Sequence, residues 1–586
     1  MGSRTIAAAL FLFSFATYVL FSYGGVRSPD SEVVFRTAEA LATRGSFALE
    51  RDLEFWPGFG ARTGLDGRRY SIFGPGQAIV AAPFVRLGQA LNRTRWYEGH
   101  ERLIPVSHYQ GTGLVDFRAG RVPSDVEPHV LRFQVTLLNS LVTAATVVVL
   151  FAILLNLTGC PAAAGSVAFL AAFGTLLLPY SGTFFSEPLA LLWSLLAFGF
   201  SAGRRPVIRE ADAGPVRGGP GGAAFLAGLF LGLAAATHIS AILFLPFFGV
   251  IVAHRSWRLR PSTSGLARDI ALFAGGVGLV LALLALHNGA RFGSVFETGR
   301  AIGNASEFGY GRFTNPLPGL AGLLVSSGKG LLWFCPPALI GLALWRRFWR
   351  GDALLAGTVL AAVLFRLVFV AARTDWHGGF SIGPRYLVLI VLLAERRWLP
   401  FAGFVALVAA ATALQLAFSV GEFSSFLHSV KEAGLRQGIN VLEGLVIYRR
   451  WEYSPLVAIL DGRRGPWTLQ WVPWSNHALW LAAASLYAAA AGLWGRWMWT
   501  TGPARYDRTR ISRAWSRVNP SRVSGSTRRS RRPRRAPRAV RAARPARRRR
   551  STPAGSARGP TARSGSRGSA LPAAAGAGSG GSRGCP

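Results

Sequence analysis

Between residues 5 and 497 the chain returns again and again to apolar stretches of about 20 residues, the length an α-helix needs to cross a bilayer. In hydrocarbon every backbone N–H and C=O must find its partner inside the protein, so such stretches are restricted to helices packed in a bundle. About twelve spans are expected, near 5–23, 130–155, 161–179, 187–203, 222–236, 239–254, 268–287, 331–346, 352–372, 384–395, 398–419 and 477–497. The expected fold is therefore an all-α polytopic membrane protein. Residues 222–254 read either as one long helix or as a tight hairpin around Thr237-His238. The first span, with Arg4 before it, has the outline of a signal peptide. Phe21-Ser22-Tyr23 is a poor small-residue cleavage site, so an uncleaved helix is expected.

Charge orients the bundle. With the N-terminus inside, the short loops carrying Arg204-Arg205, Arg255, Arg258, Arg260, Arg346, Arg347, Arg350 and Arg396-Arg397 all fall on the cytoplasmic side. The long loops 24–129, 288–330 and 420–476 fall outside. The expectation is a multi-pass protein of the cell membrane with both termini cytoplasmic, built as a transmembrane domain over 1–500 and a tail over 501–586. The tail holds 23 of the arginines and one acid, Asp507, which accounts for +22 of the formal net charge of +38. Arg, Ser, Pro, Ala and Gly in that proportion cannot bury a core, so disorder is expected there. The basic charge sits in this tail and on no folded platform, which argues against a nucleic-acid enzyme. Cys160, Cys335 and Cys585 are too scattered for a metal motif or a disulfide framework.

The first outer loop is unusually long. Residues 31–43 place Val33, Val34, Ala38, Leu41 and Ala42 among Arg36, Glu39 and Arg44, the pattern of an amphipathic helix on the membrane surface. Residues 74–91 read as a second surface helix or as a further span. Just before the first of these, SPDSE at 28–32 puts Asp30 and Glu32 where the chain leaves the lipid. A carboxylate partly buried beside a low-dielectric medium gains proton affinity and suits a general base acting on a hydroxyl. Spaced two apart, the two acids would not share a helix face, and Asp30 equally fits an N-cap of a helix beginning near Ser31.

Further motifs fall on the same outer side. Asp66-Gly67 marks a turn, Tyr70 follows it, and Gly74-Pro75-Gly76 lets the backbone approach a ligand or a neighbouring helix. Glu187 stands at the lip of a span, where an acid also favours the helix dipole. Ser326-Ser327-Gly328-Lys329-Gly330 offers small residues and one of only two lysines, either to hold a phosphate or as an interfacial cation reaching water. DWHGGFSIGPRY at 375–386 brings Trp376, His377 and Arg385 to the outer end of a span. Arg385 could grip a phosphate diester through parallel N–H bonds, and Trp376 could stack on a sugar or belong to the aromatic belt.

Taken together, SPDSE, DGRRYSIFGPGQAIVAAPF, SSGKGLLWFCPP and WHGGFSIGPRY resemble the GT-C superfamily of membrane glycosyltransferases over roughly residues 5–497. That group includes the protein O-mannosyltransferases and the lipid A aminoarabinose transferase. The resemblance implies a polyprenyl-phosphate sugar donor, an envelope acceptor and an inverting transfer on the outer face. It implies Asp30 as catalytic base, with Glu32 beside it, and Lys329 and Arg385 as holders of the donor phosphate. Glu187, Trp376, His377 and Tyr70 are the further cavity candidates. Two departures stand out: Ser31 separates acids that are adjacent in the mannosyltransferases, and the WWDYG-like motif of oligosaccharyltransferases is absent, which argues against peptide N-glycosylation. No metal-ligand cluster or cofactor motif is visible, and relatives differ in their need for a divalent metal. The rival readings are a transporter or flippase of a lipid-linked or anionic substrate, and a non-catalytic scaffold recruiting partners through the tail.

Overall fold

The computed structural model describes residues 2–457 except 23, 51–52, 54–57, 100–124, 204–219, 301–311, 344, 380, 389–400, 421–429, 431–432, 441–445 and 455. The expected span at 477–497, most of that at 384–395, much of the loop 420–476 and the arginine-rich tail lie outside the described residues. Those described all fall in one compact unit, Met1–Arg517.

Among the described residues, five helices are long and apolar enough to cross a membrane: Ser3–Leu20, Glu127–Thr158, Ile239–Leu259, Thr263–Phe292 and Ala353–Ala371. Shorter apolar helices, Pro161–Gly174, Glu187–Ser201, Gly221–Thr237 and Ala406–Ser419, occupy four more of the expected spans. Among the described residues the count of about twelve full-length spans is thus not confirmed. The stretch 331–346 shows why. Cys335-Pro336-Pro337 divides it into Leu331–Phe334 and Pro336–Ala343, because proline lacks the N–H that would continue the first helix. A further apolar helix, Pro316–Val325, lies within what the sequence suggested was an outer loop.

The helices used below are α1 (Ser3–Leu20), α2 (Pro29–Arg44), α3 (Gly76–Asn92), α4 (Glu127–Thr158), α5 (Pro161–Gly174), α6 (Glu187–Ser201), α7 (Pro220–Thr237), α8 (Leu245–Leu259), α9 (Thr263–Phe292), α10 (Pro316–Val325) and α11 (Ala353–Ala371). At 1.5 Å per residue α4 is about 48 Å long, well over the ~30 Å hydrocarbon core, so its polar first turns project beyond the lipid. There it meets the first outer loop. Val34, Phe35, Ala38 and Ala42 of α2 pack with Ala78, Ala81, Ala82 and Val85 of α3 and with Leu131, Val135 and Leu138 of α4. The two amphipathic helices are thus a buried layer seated on the bundle. Between them the chain forms a three-stranded antiparallel sheet in the order β1–β3–β2, where β1 is Ala48–Leu49, β2 Ala61–Thr63 and β3 Arg69–Ser71. The Asp66-Gly67 turn closes the β2–β3 hairpin, with Arg62 opposite Tyr70.

Gly74 and Gly76 serve helix packing. A Cβ at either would collide with the end of α7, at the Ala236 carbonyl or at Thr237. That end is also where the ambiguous stretch 222–254 breaks: α7 stops at Thr237, His238 is extended, and a 3-10 turn, Ile239–Phe244, leads into α8. Helices α7 and α9 pack along most of their length. Gly228 faces the Phe273 backbone and Gly276 faces that of Phe225 and Leu229, the close approach that small residues permit in lipid.

That crossing yields a paired test. Gly276→Ala should destabilise the protein by about 1–3 kcal/mol, because rigid backbone stands where the methyl group would go. Gly275→Ala, one residue away with nothing within 4 Å of the added carbon, should leave stability unchanged or slightly higher. Thermal unfolding in detergent reads both.

Candidate functional site

Helix α2 begins at Pro29 rather than near Ser31. Ser28 is its N-cap, accepting a hydrogen bond from the Ser31 N–H at 3.2 Å. The cap is thus filled, and Asp30 is left in the first turn with its side chain lining a cavity of about 600 Å³. Glu32 points the other way. It is fully buried, accepting from Arg36 Nε at 2.8 Å and from Arg132 Nε at 3.0 Å, and so ties α2 to α4. The expected pair of acids is split between a cavity wall and a structural anchor.

Asp30 meets Arg385, which links it to Glu187 and, beyond that, to His238. Arg385 donates from Nη2 to Asp30 Oδ2 at 2.7 Å and from Nε to Glu187 Oε1 at 2.6 Å, with its guanidinium 4.3 Å from the centre of the Phe185 ring. Glu187 is buried in the first turn of α6, and its Oε2 has no hydrogen-bond partner among the described residues. His238 Nε2 lies 3.9 Å from Glu187 Oε1, and its Nδ1 is 2.8 Å from Ser240 Oγ. Ser240 in turn accepts from Arg366 Nη1 through both its hydroxyl and its carbonyl, at 3.1 Å each.

The loop that carries Arg385 is held by its carbonyl oxygens. Gly378, Gly379 and Gly383 adopt left-handed backbone, with φ of 68°, 75° and 59°, which turns the chain sharply and aims carbonyls inward. Lys329 Nζ donates to Gly379 O at 3.0 Å, Ser381 O at 2.6 Å and Ser381 Oγ at 3.2 Å. Tyr448 Oη donates to Gly379 O, Tyr180 Oη to Ile382 O, and Arg366 to Tyr386 O twice. All three protons of the Lys329 ammonium are therefore spent on the loop. Burial, and then the charge of Arg385, push its proton affinity well below the ordinary lysine range.

The remaining expected residues are placed as follows. His377 lines the cavity, and its Nδ1 accepts from the Gly379 N–H at 3.0 Å. Burial, reinforced by Lys329, pushes it down to about 4, so at neutral pH it is uncharged and its proton sits on Nε2. Trp376 is buried behind the loop against Gly322 and beside Tyr448. Tyr70 stands on β3 and donates to Asp66 Oδ2 at 2.7 Å. Glu32, Glu187, Lys329, Trp376 and Tyr70 are not among the described residues that line the cavity; Glu187 reaches it only through Arg385.

The walls are strongly basic. Among the described residues Arg27, Arg62, Arg291, Arg300, Arg366, Arg373 and Arg385 line the cavity, with only Asp30 and Asp375 as lining acids. Arg373 is paired in parallel with Asp375, at 2.7 and 2.6 Å. Arg291 instead donates to Ser71 O and Asn288 Oδ1. Sequence reading passed over Arg366 although the signal was present: a lone arginine inside an apolar span marks a buried polar network or a substrate path. Arg291, near the end of α9, gave the same signal more weakly. Among the described residues no group of three or more His, Cys, Asp or Glu side chains converges as a metal site would.

No family model matches the sequence, and no curated protein matches it. Among solved structures the chain is similar to the archaeal oligosaccharyltransferase AglB from Archaeoglobus fulgidus, in complex with an inhibitory peptide and a dolichol-phosphate. The identity is 12%, the TM-score 0.37, and the match covers 80% of this chain and 56% of that one. The chain thus spans little more than half the length of that neighbour.

Two tests follow from these placements. Lys329→Met removes a three-pronged clamp and should cost about 2–4 kcal/mol in thermal unfolding; a lysine that held substrate would change ligand affinity at unchanged stability. For Glu32, burial alone would raise the carboxyl, but the charges and hydrogen bonds of Arg132 and then Arg36 outweigh it, and its proton affinity falls below the ordinary value of 4.5. A carboxyl lowered on folding contributes stability that is complete above 4.5 and is lost as the pH falls below it. The unfolding temperature should therefore drop progressively below pH 4.5. Glu32→Gln should be less stable at neutral pH and should lose less on acidification.

Proposed function

We propose that the protein is a membrane glycosyltransferase that moves a sugar from a polyprenyl-phosphate donor to a hydroxyl of an envelope acceptor, on the outer face of the cell membrane. The observation that carries this reading is the meeting of the first-loop carboxylate Asp30 with the arginines of the late loop. They meet in one basic cavity at the polar end of a bundle of apolar helices. A carboxylate that can take a proton and fixed cations that can take a phosphate are the two functions such a transfer needs.

In this reading Asp30 accepts the acceptor's hydroxyl proton as its oxygen attacks the anomeric carbon from the face opposite the phosphate. The bond from that carbon to the phosphate oxygen breaks, the configuration inverts, and the polyprenyl phosphate leaves with the electron pair. Charge grows on the departing phosphate, which the arginine-lined walls favour. His377 supplies an uncharged N–H donor at the cavity wall. Lys329 acts here only through the loop it holds, and Glu32 only through α4.

Asp30→Asn should lower transfer from radiolabelled polyprenyl-phosphate sugars to membrane acceptors by at least about 100-fold, with folding unchanged. Full transfer by that variant would sink the reading. One observation favours a carrier instead: the helix break at His238 lines the cavity, as broken helices do in transporters. A carrier would move the lipid-linked sugar across the bilayer without forming a new glycosidic bond, and product analysis in the same assay separates the two.

A further inference from the structure

Arg385 is held unequally by its two carboxylates. The Glu187 side chain is 1% exposed and fixed in the first turn of α6, whereas the Asp30 side chain is 21% exposed and faces the cavity. The guanidinium itself is 13% exposed and also lines the cavity. Two of its nitrogens, Nε and Nη2, donate to the carboxylates. Among the described residues Nη1 meets no acceptor, which leaves N–H groups of the planar fork facing the cavity. Glu187 is thus the resident counter-ion and Asp30 the displaceable one.

We propose that Asp30 and the anionic phosphate of the donor compete for Arg385, so that binding of the donor releases Asp30 to act as a base. This rests on the glycosyltransferase reading above. A carboxylate engaged by a guanidinium has a lone pair occupied and its charge largely cancelled, which makes it a poor proton acceptor. A phosphate entering beside Asp30 offers the fork a geometrically matched anion and can draw Nη2 away, while the bond from Nε to Glu187 keeps the side chain in place. No covalent step is added. The acceptor hydroxyl is deprotonated only after the donor has arrived, and the order of events is built into one side chain. Arg385 is then a positioning residue for the base as well as a phosphate contact.

The test is a binding experiment that needs no turnover. A short-chain polyprenyl monophosphate without sugar, and separately inorganic phosphate, are titrated into the full-length protein in detergent by calorimetry. Asp30→Asn removes the competitor and should bind the polyprenyl phosphate about tenfold more tightly than wild type. In an Arg385→Gln background the same substitution should change affinity by less than about twofold. Equal or weaker binding of both probes by a well-folded Asp30→Asn overturns the exchange while leaving the transferase reading standing. Tightening that persists without Arg385 is long-range charge, and it too overturns the exchange. Should Arg385→Gln fail to fold, salt makes the distinction: at about 0.5 M a long-range effect is screened away, whereas direct competition keeps its ratio. Tightening for inorganic phosphate but not for the polyprenyl form supports the exchange and removes the lipid from the donor. Binding of neither probe by either protein overturns the donor reading together with the exchange.

Discussion

Arg385 carries its charge to a place where water is scarce, and the carboxylates that meet it there lie 198 and 355 residues away in the chain. A buried guanidinium without counter-ions would cost several kcal/mol, and so would a buried Glu187. Each makes the other tolerable, and together they fix where α6, α2 and the 375–386 loop must stand. Helices α2 and α6 both present the acid in their first turn, where the helix dipole adds to the stability of the anion. The cavity is thus bounded by elements whose mutual position is set by charge as much as by apolar packing.

The same economy governs the loop. Three glycines with left-handed backbone turn carbonyl oxygens inward, where each needs a donor. Lys329, Tyr448, Tyr180 and Arg366 supply those donors from four separate parts of the chain. A loop held at several carbonyls cannot drift, so the position of Arg385 is set before any substrate arrives. That is the preorganisation a site needs if its electrostatics are to act without rearrangement at the moment of reaction.

Hydropathy made the bundle legible, because a bilayer imposes one length on every span. For Asp30 the sequence left two readings open, a cavity carboxylate or a helix cap; Ser28 fills the cap and Asp30 lines the cavity. The split between Asp30 and Glu32 was only half visible. Two residues apart on a helix they must face different ways, but the partner of Glu32 is Arg132, 100 residues on. Lys329 was the least readable. Its small-residue surroundings suit a phosphate, and nothing local reveals that carbonyls 50 and 52 residues away consume its protons. The expected span at 331–346 treated apolar length as continuous helix, whereas the two prolines at 336–337 interrupt it; of the two readings of 222–254, the structure shows the break at Thr237-His238.

Satisfying the hydrogen bonds of an arginine is not the same as cancelling its charge, and the cavity exploits the difference. Arg373 faces a carboxylate and Arg385 faces two, so their fields are largely neutralised. Arg291 donates to Ser71 O and Asn288 Oδ1, and Arg366 to the carbonyls of Tyr386 and Ser240 and to the Ser240 hydroxyl. These are neutral acceptors. They orient the guanidinium and offset its desolvation but leave a full positive charge behind. Arg300, also on the wall, makes no hydrogen bond or ion pair among the described residues. The result is a cavity lined largely by arginines, with Asp30, the acid proposed to exchange, set into it. Such a wall stabilises an anion most where its charge is increasing, which is the condition of a phosphate leaving group and not of a neutral sugar at rest.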